Sequence, residues 1–132
     1  MQSRPIRVAL NGFGRIGRTL LRILLRDAPD IELVLINEIE PLATCAYLFQ
    51  YDSVFGPWPG TVTGQDSALN VDGRAIPFHS EYDLRKLDLS GVDVVLECTG
   101  MGGARAMAER GLEAGAAAVL VSGPSAEADI TL

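Results

Sequence analysis

The order of apolar segments predicts an α/β fold with a doubly wound, mostly parallel sheet and a small antiparallel meander. Strand patterns alternate with helical patterns along the chain, which is typical of a parallel sheet with helices on both faces. The first strand, from Ile6, leads into a glycine-rich turn and then into an amphipathic helix over residues 15–26. Asp72-Gly73 lies between short alternating segments and predicts a hairpin, so the sheet is expected to be mixed.

The other elements continue this alternation. A second buried strand is predicted over residues 31–36, followed by a helix over residues 41–50 with Pro41 near its first turn. Residues 54–64 include FGPWPG and are predicted to form an irregular, exposed loop. The later predictions are strands over residues 60–64, 68–71, 74–79, 92–97 and 118–122, and a helix over about residues 104–114.

The turn after the first strand has the spacing of a dinucleotide-binding motif. In IRVALNGFGRIG, Gly12, Gly14 and Gly17 form a G-x-G-x-x-G pattern between a strand and a helix. Gly12 allows a sharp turn, Gly14 leaves room for a pyrophosphate, and Gly17 lets the helix pack closely on the strand. The phosphates are expected at the helix N-terminus. These features predict a Rossmann-type domain.

An acidic residue stands where such a domain binds the adenosine ribose. Glu38 follows the second strand directly after Asn37. A carboxylate there can accept both ribose hydroxyls and repels a 2′-phosphate, which favours NAD over NADP. The alternative is a solvated loop acid. Because parallel strands end at one edge, Glu38 is expected to share a crevice with the glycine turn, Thr99 and Ser122.

Composition limits the other function classes. The 132 residues fit one domain, and the formal net charge of −6 disfavours nucleic-acid or acidic-membrane partners. The arginines between Arg4 and Arg26 are expected on a solvated helix face. No apolar stretch reaches the length of a membrane span, and the early first strand leaves no room for a signal peptide, so a cytoplasmic protein is expected. Cys45 and Cys98 lack metal-ligand spacing with His79, so reduced thiols and no metal site are expected.

Five separated motifs carry a family resemblance. NGFGRIGR, INE, FQYDSVFG, ECTG and VSGPS occur in the order and approximate spacing of the glyceraldehyde-3-phosphate dehydrogenase family. Over essentially all of residues 1–132 the chain resembles the N-terminal NAD-binding domain of that family. The resemblance implies NAD as the cofactor and a glycolytic parent enzyme, able to form a homo-oligomer, that oxidises and phosphorylates a sugar-phosphate aldehyde.

The resemblance also implies a set of cofactor residues. Backbone amides of Arg15 and Ile16 would contact the pyrophosphate. Thr99 and Gly100 would line the path of the cofactor, and Ser122 would lie near the nicotinamide. For Thr99 and Ser122 the alternative is a hydroxyl that closes a strand or caps a helix. The full set is Asn11, Gly12, Gly14, Arg15, Ile16, Gly17, Asn37, Glu38, Thr99, Gly100 and Ser122.

Two departures from the family pattern leave alternatives open. The typical member has Asp where this chain has Glu38, and its E-R-D stretch reads Glu81-Tyr82-Asp83 here. Tyr82 either stacks on the adenine or covers the hairpin. INE and CTGxxG also resemble the erythrose-4-phosphate dehydrogenase branch. A non-catalytic interaction module that has lost its cofactor is the third interpretation.

The catalytic residues of the family have no counterpart in this sequence. The nucleophile motif S-C-T-T-N-C is missing, Cys98 belongs to ECTG and is expected to be a core residue, and His79 falls in the meander, where no chemical role is expected. We therefore expect an isolated NAD-binding domain or fragment with the catalytic domain absent. Such a chain would be inactive alone, with the sugar phosphate bound only by the full-length parent.

Overall fold

The computed structural model describes residues 4–100 and 109–121. Their elements, in chain order, are β1 Ile6–Asn11, α1 Arg15–Asp27, β2 Ile31–Asn37, α2 Leu42–Gln50, β3 Tyr51–Asp52, β4 Gly56–Pro57, β5 Val62–Gln65, β6 Ala68–Val71, β7 Arg74–His79, a 3-10 helix Leu84–Lys86, β8 Val94–Glu97, α3 Arg110–Glu113 and β9 Ala118–Val121. In these two ranges no helix is both long and apolar enough to cross a membrane.

One sheet of seven strands organises the domain, in the order β5-β6-β7-β2-β1-β8-β9. β7, β2, β1, β8 and β9 pair in parallel, each with the next in this order. On its other side β7 pairs antiparallel with β6, and β6 pairs antiparallel with β5, so these three strands form a meander. The chain leaves the central strand β1 toward β2 on one side and later returns to β8 on the other. The boundary between β1 and β8 is therefore a topological switch point, where sheets of this kind bind ligands. The predicted Rossmann-type fold is confirmed.

The sheet buries apolar side chains on both faces. Along β1, Val8 and Leu10 belong to one hydrophobic cluster and Ala9 belongs to another. Successive side chains of a strand point to opposite faces, so β1 lies in the middle of the domain with a core on each side. This burial explains why the strand reads as an apolar run rather than as an alternating one.

The meander turns where the sequence predicts a hairpin. Asp72 and Gly73 both have positive φ angles, +53° and +85°, and they join β6 to β7. Such angles suit the tight turns that connect antiparallel strands. Three predicted strands differ slightly in length, since β2 extends to Asn37, β5 begins at Val62 and β8 begins at Val94. In the predicted helix over residues 104–114, the structure describes α3; residues 104–108 lie outside the described ranges.

The predicted exposed loop over residues 54–64 is partly wrong. β4 lies within this range and pairs antiparallel with the preceding β3, and the Trp58 side chain is buried. The Trp58 indole donates a hydrogen bond to Asp72 Oδ2 at 3.0 Å. Burial of the large indole ring is strongly favourable. It therefore prevails over the preference of the surrounding glycines and prolines for an exposed turn.

The expectation of a solvated arginine face on α1 is wrong for Arg22. This side chain is only 5% exposed, and its guanidinium lies 5.3 to 5.6 Å from the ring centroids of Phe49, Phe55 and Trp58. It also donates to the Gly56 carbonyl at 3.3 Å. Cation–π attraction and this hydrogen bond offset the desolvation of the charge. Arg22 thereby connects α1 to the segment between α2 and β5.

Candidate functional site

A cavity of about 220 Å³ lies at the carboxyl ends of β1, β2 and β8. Its lining residues are Asn11, Gly12, Gly14, Asn37, Glu38, Ile39, Glu81, Tyr82, Leu84, Glu97, Cys98, Thr99 and Arg110. Pockets for a whole organic ligand usually measure about 300 to 1,000 Å³, so this cavity has room for part of a larger molecule. Its position agrees with the expected crevice at the carboxyl edge of the sheet.

The structure brings together many of the residues that the sequence singled out. Those that line the cavity are Asn11, Gly12, Gly14, Asn37, Glu38 and Thr99. Arg15, Ile16, Gly17 and Gly100 are not among the lining residues, although the first three lie in the first turn of α1 beside it. Ser122 lies outside the described residues.

The glycine turn has little space for side chains at two of its three positions. Gly12 has a φ of +98°, and a Cβ there would lie 2.7 Å from the backbone of Cys98 and Thr99. A Cβ on Gly17 would collide with the Gly12 carbonyl oxygen. At Gly14, by contrast, a Cβ would meet no atom within 4 Å, so open space adjoins the backbone. This is the arrangement expected where a pyrophosphate approaches the chain.

The N-terminus of α1 is available to an anion. No side chain caps it, and its first turn carries no acidic residue. The first amides of a helix have no carbonyl partner within the helix, and the helix dipole adds partial positive charge there. The amides of Arg15 and Ile16 therefore lie where phosphate oxygens would be stabilised.

Glu38 joins two turns beside the cavity. Its Oε1 accepts the Phe13 amide at 2.6 Å, and its Oε2 accepts the Glu40 amide at 2.9 Å. The Phe13 ring is buried against Phe49, with 6.1 Å between the ring centroids. The glycine turn is therefore held at Phe13 both by the Glu38 carboxylate and by ring packing in the core. Glu38 is not simply a solvated loop acid. A carboxylate has about four acceptor sites, so Glu38 retains capacity for the hydroxyls of a ligand.

A chain of polar side chains crosses the ends of β2, β1 and β8. Asn37 donates to Asn11 Oδ1 at 2.9 Å, and Asn11 in turn donates to Glu97 Oε1 at 2.8 Å. Glu97 Oε2 accepts the Thr99 hydroxyl at 2.6 Å and the Thr99 amide at 3.3 Å. Asn37 and Glu97 are both buried. Their hydrogen bonds compensate for the desolvation of polar groups in the interior.

Sequence reasoning missed several residues of the cavity. Glu97 could have been suspected, because it is the one acid at the end of the apolar run VVLE. The others are Ile39, Leu84 and Arg110, for which the one-dimensional pattern offers no signal, and Glu81, which the sequence singled out only as part of the stretch Glu81-Tyr82-Asp83. Tyr82, left open by the sequence, lines the cavity and is 81% exposed. Its ring is accessible to a ligand.

The two cysteines differ in their surroundings: Cys45 is buried and Cys98 is partly exposed. Burial and the nearby charge of Glu38 raise the pKa of Cys45 to about 11, so this thiol stays protonated at neutral pH. Cys98 packs against the larger core, in agreement with the expectation from sequence, and it also lines the cavity. His79 is an exposed residue at the end of β7. The described residues contain no cluster of His, Cys, Asp or Glu suited to a metal ion.

The fold and this site define a dinucleotide-binding domain of the doubly wound α/β class. Residues 6–105 match the family model described as glyceraldehyde 3-phosphate dehydrogenase, NAD binding domain. The chain belongs to the glyceraldehyde-3-phosphate dehydrogenase family and corresponds to its N-terminal NAD-binding domain, with NAD as the cofactor.

Relatives from distant organisms agree with this assignment. The chain is 47% identical to a glyceraldehyde-3-phosphate dehydrogenase of Thermotoga maritima, over 96% of this chain and 39% of that protein. Identity is 40% to the enzyme of the same name from Streptomyces coelicolor, over 96% and 38%. It is 44% to glyceraldehyde-3-phosphate dehydrogenase 1 of Candida glabrata, over 93% and 38%. The chain thus spans about two fifths of the length of these relatives.

Proposed function

We propose that this chain is the cofactor-binding unit of an enzyme that oxidises and phosphorylates a sugar-phosphate aldehyde with NAD. The relatives described above are named for glyceraldehyde 3-phosphate, and we adopt that glycolytic substrate for the parent in preference to erythrose 4-phosphate. Residues 1–132 are the NAD-binding domain in this proposal. The chain alone binds NAD and does not turn over the aldehyde.

The position of Glu38 is the observation that carries the proposal. Its carboxylate lies at the end of β2, lines the cavity, and is fixed by the amides of Phe13 and Glu40. Fixed in this way, the carboxylate can accept the two hydroxyls of an adenosine ribose without reorganising. It would repel a phosphate on the 2′-oxygen, which accounts for a preference for NAD over NADP.

The rest of the cofactor would follow from this anchor. The pyrophosphate would lie in the open space at Gly14, against the amides of Arg15 and Ile16. Thr99 and Gly100 would line the route toward the nicotinamide, as the family resemblance implies, with Ser122 at its far end. Gly12 and Gly17 allow the close backbone contacts of the turn because they lack side chains. Asn11 and Asn37, hydrogen-bonded to each other, form a polar wall of the cavity.

Tyr82 provides a surface for the adenine in this proposal. The cavity also contains the apolar side chains of Ile39 and Leu84, which would add apolar contacts to the base. An exposed aromatic ring favours stacking with a purine, and stacking of this kind is worth about 1 to 3 kcal/mol per base. Tyr82 would thus replace the arginine that family members place beside the adenine.

Bound NAD supplies a hydride acceptor, while the residues of this chain bind and orient it. Neither cysteine has a position that supports a role as nucleophile. Cys45 is buried and its pKa is raised, which disfavours the thiolate. Cys98 lies beside the glycine turn and lines the cavity that is assigned to the cofactor. The proposal therefore assigns no catalytic residue to this chain.

A cytoplasmic location and homo-oligomer formation complete the proposal. The net charge of −6 supports the absence of nucleic-acid and acidic-membrane partners. Exposed apolar side chains in α2 and in the segment that follows it, at Tyr47, Tyr51, Val54 and Phe55, support self-association. Light scattering during size-exclusion chromatography tests self-association, and a mass of one chain at every concentration would contradict homo-oligomer formation.

Calorimetric titration with NAD and with NADP tests the cofactor assignment. The wild-type chain is expected to bind NAD at least about tenfold more tightly than NADP. In Glu38→Gln an amide replaces one acceptor oxygen and the negative charge is lost, so NAD should bind about tenfold more weakly and the preference over NADP should shrink. Glu32→Gln removes the same charge at an exposed position near the start of β2 and serves as the matched control.

Two results would contradict the proposal. Equal affinity of the wild-type chain for NAD and NADP would remove the role of Glu38 in selecting the cofactor. An unchanged preference in Glu38→Gln would do the same, provided that Glu32→Gln behaves like the wild type. A Tyr82→Ala variant with unchanged NAD affinity would remove the adenine assignment alone.

A further inference from the structure

The hydrogen-bond chain across the strand ends has a direction that is set by the backbone. Asn37 Oδ1 accepts the Glu81 amide at 2.9 Å, and Asn37 Nδ2 donates to the Glu81 carbonyl at 2.8 Å. A backbone amide can only donate and a backbone carbonyl can only accept. The carboxamide of Asn37 therefore has one satisfactory orientation, with its NH₂ group directed away from the Glu81 amide.

This direction passes to the next side chain. The same Asn37 Nδ2 donates to Asn11 Oδ1 at 2.9 Å, which requires the oxygen of Asn11 to face Asn37. The Asn11 NH₂ group must then face the other way, where it lies 2.8 Å from Glu97 Oε1. Glu97 Oε1 consequently has to be an acceptor.

The second oxygen of Glu97 is constrained in the same sense. Glu97 Oε2 receives the backbone amide of Thr99, which can only donate, together with the Thr99 hydroxyl at 2.6 Å. Both oxygens therefore accept hydrogen bonds, which a carboxylate can do and a carboxamide cannot. A carboxamide at position 97 would place an NH₂ group against the donor of Asn11 or against that of Thr99.

We propose that Glu97 is a positioning residue of the NAD site. Glu97 is only 4% exposed, and its carboxylate fixes the side chains of Asn11 and Thr99, which line the cavity. A buried carboxylate is costly unless every acceptor is used, and an apolar pair could join two strands with less desolvation. Preorganisation of the polar wall explains this choice of side chain. The inference rests on the proposed function of the cavity as an NAD site.

A donor–acceptor exchange tests the inference without changing the net charge. In Asn11→Asp/Glu97→Gln, the carboxylate at position 11 can accept from Asn37 and from the new carboxamide, whose oxygen then faces Thr99. Each single variant breaks the pattern: Glu97→Gln sets donor against donor, and Asn11→Asp sets carboxylate against carboxylate. The exchange therefore separates hydrogen-bond direction from mere size or charge.

NAD affinity by calorimetry and unfolding temperature are measured for every variant. Each single variant is expected to bind NAD at least about tenfold more weakly than the wild type, and the double variant to recover to within about threefold. Glu32→Gln, at an exposed site, is expected to bind like the wild type. If Glu97→Gln does not fold, the comparison of the double variant with Asn11→Asp tests the same pattern, and recovery of NAD affinity is expected for the double variant alone.

Two outcomes overturn the inference while the proposed function stands. A lower unfolding temperature with unchanged NAD affinity in the folded single variants would make Glu97 a structural residue only. Failure of the double variant to recover affinity would refute the directional pattern. If neither the wild type nor Glu32→Gln binds NAD, the proposed function of the isolated chain fails, and the inference fails with it.

Discussion

The two ends of β8 are joined to β1 by carboxylates in opposite environments. At the amino end, Asp93 accepts the Arg7 amide at 2.8 Å and forms two hydrogen bonds with Arg4, whose side chain is 62% exposed. At the carboxyl end, Glu97 is buried and bonded to Asn11 and Thr99. The same task, holding two parallel strands together, is performed once by an ion pair in water and once by a buried network.

The difference shows where the domain keeps its geometry fixed. An exposed ion pair is weakened by solvent and salt, and either partner can be lost at small cost. A buried carboxylate with directional partners tolerates neither loss nor exchange of a donor. The rigid end of the strands is the end that carries the NAD cavity, and the tolerant end carries no predicted site residue.

The largest expected contrast between the two ends is steric. In Gly17→Ala the new methyl group would collide with the Gly12 carbonyl oxygen, a backbone atom in the glycine turn. In Gly91→Ala it would lie 2.8 Å from Arg7 Nη1, the end of a flexible side chain, and the cost comes from the φ of +84°. We expect losses in the free energy of unfolding of about 3 kcal/mol or more for Gly17→Ala and about 1 kcal/mol for Gly91→Ala, as measured by urea titration.

The two variants serve as matched controls for each other, since each adds one methyl group next to β1 or β8. Equal losses would show that the carboxyl edge is no more constrained than the amino edge. A folded Gly17→Ala chain with normal NAD affinity would also contradict the tight-turn role of this glycine.

The second contrast removes one charge at each end. Glu97→Gln leaves a donor facing a donor in the interior and should lower the free energy of unfolding by about 2 kcal/mol. Asp93→Asn keeps an acceptor for the Arg7 amide and loses only an exposed ion pair, so a smaller loss is expected. Both are measured by urea titration at neutral pH, and 1 M salt should reduce the difference between Asp93→Asn and wild type. A greater loss for Asp93→Asn than for Glu97→Gln would reverse the comparison.

How far the sequence predicts this molecule depends on the range of each interaction. The glycine turn and the Asp72-Gly73 hairpin were predictable, because backbone conformation there follows from neighbouring residues. Arg22 was placed wrongly, since its aromatic partners come from segments more than 25 residues away. The role of Glu97 depends on Asn11 reaching it through strand pairing. Contacts of this kind exist only once the sheet has formed.

A third contrast compares two hydroxyls with the same local geometry. Thr99 donates to Glu97 Oε2, and Ser90 donates to Asp88 Oδ1; each bond measures 2.6 Å and spans two residues. Both residues are exposed, but Thr99 bonds the buried carboxylate of Glu97 whereas Ser90 bonds the exposed carboxylate of Asp88. Thr99→Val removes a donor from that buried carboxylate and should lower the free energy of unfolding by about 1.5 kcal/mol. Ser90→Ala removes a donor that water can replace, so a smaller change is expected. Equal changes in thermal or urea unfolding would show that burial does not strengthen the bond.

The smallest expected contrast is the effect of Asp93 on the unfolding temperature at acidic pH. Hydrogen bonds from Arg4, and then from the Arg7 amide, lower the pKa of Asp93 from 3.8 to about 2. A carboxyl whose pKa is lower in the folded chain stabilises that state above its unfolded pKa and loses this contribution as the pH falls toward the folded pKa. The unfolding temperature of Asp93→Asn should therefore be below that of the wild type at neutral pH, and the two should converge between pH 3.8 and about 2. Because other carboxylates titrate equally in both chains, the difference isolates Asp93, and a constant difference down to the lowest pH would show that the ion pair does not stabilise the amino end.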